Sequence, residues 1–191
     1  MKKNDKALLE VKNQVIACKK CLLYKTRHLP VIGQGNHNAD IMFIGEAPGR
    51  NEDLTGRPFC GRAGDVLSEL LESIGLKRED VYIGNILKCR PPGNRNPLPN
   101  EINACTLYLD KQIEVINPKV ICCLGNFATG YILRKFGLEN EIQGISKIRG
   151  KVFSADKRKI VPLYHPAVVA YNINMKNILM EDFKMIKKII I

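Results

Sequence analysis

The sequence predicts an α/β fold, a parallel β-sheet with helices packed on both of its faces. Three observations carry the prediction. Short apolar stretches alternate with amphipathic ones along the chain. The apolar stretches lack polar alternation, so both of their faces are buried. No stretch approaches the roughly 20 apolar residues of a membrane-crossing helix. Of 191 residues, 45% are apolar, enough for a substantial core and too many for a disordered chain. Residues 1–191 are expected to form one domain and to act as a monomer.

The elements follow from local pattern. In "DKALLEVKNQVIACKKC" the residues Leu8, Leu9, Val15 and Ile16 fall near helical spacing, so a first helix ends close to Cys18. "ADIMFIG" is a short apolar strand stopped by Gly45. Val66, Leu67, Leu70, Leu71 and Ile74 mark a helix that Gly75 terminates. "DVYIGNIL" reads as a second strand, and Asn100 as the N-cap of a helix through "EINACTLYLDKQIEVI". "PKVICCLG" gives a third strand, "NFATGYILRKF" a helix, and "KIVPLYHP" a fourth strand whose end carries His165. "MKNILMEDFKMIKKII" closes the chain as an amphipathic helix. Ligands of such sheets sit beyond the carboxyl ends of the strands. Three of those ends, "GEAPG", "NILKCRPP" and "HPAVV", hold the unusual residues.

The formal net charge is +11, and basic residues gather in "KCRPPGNRNP", "SKIRGK" and "DKRK". A basic surface favours a polyanion, most often nucleic acid; the plainer alternative is a soluble basic protein with no such partner. The opening "MKKNDKALLE" lacks the apolar core of a signal peptide, so a cytoplasmic location and no membrane partner are expected.

Seven cysteines, an odd number, argue against a disulfide framework in a reducing compartment. Cys18 and Cys21 form C-x-x-C, and Cys89 and Cys105 supply a second, wider pair. Four soft thiolates suit an iron–sulfur cluster or zinc. The second spacing is too wide for a compact zinc knuckle and favours a [4Fe–4S] cube; zinc remains the alternative. Cys122 and Cys123 read as core residues on opposite faces of a strand, and Cys60 has no assigned role. A metal-anchored Cys89 would fix its Pro- and Arg-rich loop, placing Lys88, Arg90 and Arg95 to meet phosphates.

Around the strand ends, Gly45, Pro48 and Gly49 allow close approach of backbone to a ligand. Glu46 is placed to orient water and Phe59 offers a stacking face. The Asn85 amide presents a donor and an acceptor, which suits a nucleobase edge. His165 is suited to hydrogen-bond a developing anion. Taken singly, each has a bland explanation: a tight turn, a capped strand end, a satisfied core histidine.

Jointly, "GEAPG…EDLTGRPFCGRAG", "YIGNILKCRPPGNRNP", "HPA" and the four cysteines resemble the family 4 uracil-DNA glycosylases, the iron–sulfur type of many archaea and bacteria. The resemblance runs from about Cys18 past His165. It implies a three-layer α/β/α fold around a central four-stranded parallel sheet. It also implies a monofunctional enzyme that removes uracil from single- or double-stranded DNA and leaves an abasic site. A [4Fe–4S] cluster would be held by Cys18, Cys21, Cys89 and Cys105. Glu46 and the Ala47–Pro48 backbone would line the pocket, Phe59 would stack on the flipped base, Asn85 would read its Watson–Crick edge, and His165 would face O2. Family 1 glycosylases place Asp where this chain has Ala47, which leaves Glu46 as the candidate for water, with Glu52 and Asp53 as alternatives. Val168 and Val169 are small for a duplex wedge. Two rival classes are a non-catalytic DNA-binding module with a structural four-cysteine metal site and an electron carrier. The complete set of Glu46, Phe59, Asn85 and His165 argues against both.

Overall fold

The computed structural model describes residues 3–190; residues 1, 2 and 191 of the expected domain lie outside it. The chain begins with α1 (Lys3–Ile16) and a two-residue strand, β1 (Gln34–Gly35). Then come β2 (Ile41–Gly45), α2 (Arg50–Thr55), α3 (Arg62–Ser73), β3 (Tyr82–Asn85) and α4 (Pro99–Ile116). The second half runs β4 (Val120–Leu124), α5 (Asn126–Lys135), α6 (Ile145–Ile148), β5 (Phe153–Ala155), β6 (Arg158–Leu163), α7 (Val168–Tyr171) and α8 (Met175–Ile190). The sheet order is β1-β3-β2-β4-β6-β5. Its four central strands are parallel, as the apolar runs predicted. The two edge strands are antiparallel and were not anticipated. Strands of two and three residues are too short to carry a periodic signal, and β5 owes its place to a tight turn with Asp156 at φ +51°.

Successive strand residues face opposite layers. Met42, Ile44, Ile121 and Cys123 pack with Leu109 and Ile113 of α4 and Ile132 of α5. Ile41, Phe43, Cys122 and Leu124 pack instead with Leu67 and Leu70 of α3 and Leu179 and Phe183 of α8. Cys122 and Cys123 are therefore core residues on opposite faces, each fully buried. Burying each large aliphatic or aromatic side chain contributes about 1.5–3 kcal/mol, which is what holds the three layers together. A smaller cluster joins Val11 and Val15 of α1 to Leu87, Cys89, Cys105 and Tyr108. Among the described residues, no helix is long and apolar enough to cross a membrane.

One cap differs from expectation. Helix α4 starts at Pro99, a residue whose missing N–H is harmless in the first turn. Asn100 therefore lies inside the helix, and Glu101 Oε2 accepts the Leu98 N–H at 2.9 Å.

Candidate active site

The pairing of β2 with β3 continues past the strand ends. Ile86 N–H donates to Gly45 O and Leu87 N–H to Glu46 O, each at 3.0 Å. The "GEAPG" turn is thereby laid beside the "NILKC" loop. Gly45 is needed there: a Cβ would stand 2.4 Å from Asn85 Oδ1 and 2.7 Å from Phe59 Cζ. Phe59 itself sits at φ +50°, a left-handed conformation unfavourable for an aromatic residue. Its carbonyl leaves room only for glycine at position 64, where a Cβ would lie 1.8 Å away. The backbone is strained so that one ring reaches one place.

That place is a cavity of about 420 Å³. Glu46, Ala47, Pro48, Phe59, Asn85 and His165 all line it, so the structure brings together every pocket residue named from sequence. Asn85 is 2% exposed, and its Oδ1 is buried without a hydrogen-bond partner. A buried acceptor left open is unfavourable and rare in folded proteins. The His165 ring stacks against Phe59, with centroids 5.5 Å apart and planes 26° from parallel. Ala167 N–H donates to His165 Nδ1 at 3.2 Å, so the neutral ring carries its proton on Nε2. Desolvation pushes the imidazole down to about 4, against the opposing pull of the Glu52 carboxylate. At neutral pH His165 is an uncharged donor. Desolvation also raises the half-buried Glu46 carboxyl above its ordinary value.

The two alternatives for handling water both accept backbone N–H groups. Glu52 Oε2 accepts Gly49 N–H at 3.1 Å, while Oε1 accepts the N–H groups of Cys60 at 2.9 Å and Gly61 at 3.1 Å. It ties both sides of the pocket wall together, a role that sequence reasoning missed although the turn-rich "GRNEDLTGRPFCG" hinted at it. Asp53 is buried and accepts His28 N–H at 3.0 Å. Val168 and Val169 pack against the core. Tyr171, also missed, is 91% exposed and lines the cavity mouth.

The basic loop divides. Arg95 lines the cavity and is held by Glu101 through two bonds of 2.6 and 2.9 Å. Arg90 donates to Asn94 Oδ1 at 2.7 Å. Lys88 overturns the expectation of a phosphate contact. It is 1% exposed, and its ammonium donates inward to Asn85 O and Gln112 Oε1. The chain bends at Lys88 and Cys89, which breaks the strand alternation, so Lys88 points into the protein while Arg90 is partly exposed.

Cys18, Cys21, Cys89 and Cys105 line a single second cavity. Each sulfur accepts a hydrogen bond: Cys18 from Lys20 N–H, Cys21 from Leu23 N–H, Cys89 from Arg27 Nη1 and Cys105 from Lys88 N–H. Burial pushes the Cys105 thiol up to about 12 and also raises Cys89 and Cys21. Thiolates at neutral pH would need a metal to replace the proton. Among the described residues, no three His, Cys, Asp or Glu side chains are arranged to hold a metal ion. Arg27, whose guanidinium also caps α1 through Ile16 O at 2.6 Å, was not anticipated from sequence.

Comparison with known proteins agrees with this geometry. The family model "Uracil DNA glycosylase superfamily" matches residues 32–186. The chain is 48% identical to a type-4 uracil-DNA glycosylase of Archaeoglobus fulgidus, over 94% of this chain and 92% of the relative. It is 49% identical to a type-4 enzyme of Sulfurisphaera tokodaii, over 97% and 86%. A type-4 enzyme of Thermotoga maritima is 42% identical, over 94% and 93%.

Proposed function

This chain belongs to the uracil-DNA glycosylase superfamily, and from that premise we propose that it excises uracil from DNA in base-excision repair, with Asn85 as the reader and His165 as the anion-stabilising donor. The observation that carries the reading is the open, buried Asn85 Oδ1 on the cavity wall. Uracil N3–H is a donor of the kind this acceptor lacks. Cytosine offers an acceptor at N3 and an amino group in place of O4, so it would leave the amide mismatched in a dry site. Such mismatches discriminate by orders of magnitude.

The nucleotide is flipped out of the duplex to reach the cavity, at a cost of a few kcal/mol. Phe59 stacks on the base. As the C1′–N1 bond breaks, its electron pair passes to the uracil ring, and His165 Nε2–H donates to the negative charge growing on O2. A neutral donor does this without itself gaining or losing a proton. Glu46, in its carboxylate form, orients the water whose oxygen bonds to C1′ and accepts the proton that water loses, with the Ala47–Pro48 backbone beside it. Arg90 and Arg95 meet the flanking phosphates. Tyr171 stacks on a base at the mouth.

Cys18, Cys21, Cys89 and Cys105 would hold a [4Fe–4S] cluster in this reading. The four sulfurs share one cavity, and the N–H hydrogen bonds that each accepts suit the thiolate ligands of a cluster, with zinc as the alternative. When bound, the cluster would supply a structural tether between α1, α4 and the basic loop. The enzyme acts as a cytoplasmic monomer.

The test is incubation with single- and double-stranded oligonucleotides carrying one uracil, followed by alkaline scission. Cleavage at uracil and none at cytosine is expected; binding without scission would favour the non-catalytic alternative. Anaerobically purified protein should absorb near about 400 nm. A colourless protein containing zinc would refute the cluster.

A further inference from the structure

We propose that Lys88 is a positioning residue for uracil excision: its buried ammonium pins the main-chain carbonyl of Asn85 and thereby aims the reading amide. The role rests on Asn85 reading uracil, as proposed above. Lys88 Nζ donates to Asn85 O at 2.9 Å and to Gln112 Oε1 at 2.8 Å. Gln112, fully buried on α4, is fixed in turn by donating Nε2 to Ile32 O at 2.8 Å and to Tyr82 Oη at 3.0 Å. The backbone of Lys88 is anchored separately, with its N–H on Cys105 Sγ at 3.2 Å and its carbonyl accepting Val31 N–H at 2.7 Å.

Among the described residues no carboxylate pairs with this ammonium. A buried charge whose hydrogen-bond acceptors are neutral oxygens is unfavourable, eased only by the neighbouring Cys105 sulfur when that is a thiolate. Stability alone therefore does not account for lysine here. What it holds does. Asn85 is the last residue of β3, where the strand ladder ends and its carbonyl needs another partner. Fixing that carbonyl fixes the turn of the backbone at Asn85, and with Gly45 packed against the amide it fixes the direction of Oδ1. A displacement of about 1 Å in such a group lowers turnover about a hundredfold.

The experiment compares wild type with Lys88→Met and Gln112→Leu. For Lys88→Met, kcat for uracil release should fall about 10- to 100-fold. DNA affinity and the slope of log affinity against log salt should hold, because no phosphate contact is lost. The Asn85 side-chain amide signal in ¹H–¹⁵N spectra should broaden or split, and absorbance near about 400 nm should persist. An unchanged kcat would overturn the proposal. So would a loss confined to affinity with a salt slope reduced by about 0.9, the mark of a phosphate contact. Should Lys88→Met fail to fold, Gln112→Leu decides, with a smaller fall in kcat and a shifted Asn85 signal expected. An unchanged kcat and signal in that variant would sink the idea. A wild-type protein that releases no uracil would instead refute the excision reading, while the Asn85 signal, which needs no turnover, still tells whether Lys88 holds the amide.

Discussion

Asn85 and Cys105 stand on either side of Lys88, and their polar atoms are treated in opposite ways. In the pocket, Asn85 Oδ1 is buried with no partner, Phe59 is held in a left-handed conformation, and Glu46 is desolvated. In the thiol cavity, all four sulfurs accept N–H donors from the chain itself. A site that must take a ligand from solution and release it keeps some groups unsatisfied and is less stable for it. A site whose work is to hold the fold satisfies its groups internally. The two regions should therefore answer mutation differently, through activity in the first and stability in the second.

The sharpest way to break that contrast is Asn85→Ala. Uracil release should fall by about 10²–10³-fold, while the melting temperature stays level or rises, since an unpaired buried oxygen is removed. A drop in Tm matching the loss of activity would erase the distinction. Next is Glu46→Gln, with a loss of about a hundredfold at neutral pH. The Glu46 carboxyl is raised by desolvation, and its working form is the ionised one. Activity of the wild type should thus be lost as pH falls through a limb lying above the ordinary carboxylate range, and kcat–pH profiles of the variant should lack that limb. His165 stays neutral down to about 4, so it adds no limb above that pH. The smallest effect on activity should come from Cys105→Ala. Here Tm should fall by roughly 10 °C, while turnover of the molecules still folded at about 25 °C drops only modestly. Calorimetry beside single-turnover assays at that temperature checks it. A large loss of turnover with unchanged Tm would make the thiol cavity part of the chemistry.

Much of this was legible in one dimension. The central strands announce themselves because burial on both faces demands unbroken apolar runs, and Gly45 and Asn85 fall at their ends. Glu46, Phe59, Asn85 and His165 stand out because their types are unusual where they occur, and topology brings strand ends together. Arg95 stands out as a cation in a Pro-rich loop, yet its clamp by Glu101 does not, because capping and ion pairing of one carboxylate look alike in sequence.

The chain by itself determined the order of the four central strands and the long helices, the layers of the core and the identity of most groups around the cavity. Those follow from hydrophobic period and residue chemistry, which are local. Only the tertiary structure decided that Lys88 faces inward, that Glu52 braces the wall, and that Arg27 guards a sulfur. Each of those facts depends on partners 8 to 62 positions away, Glu52 with Cys60, Lys88 with Gln112 and Arg27 with Cys89. A charged side chain's direction is fixed by which distant acceptor folding brings within about 3 Å, and no local pattern encodes that.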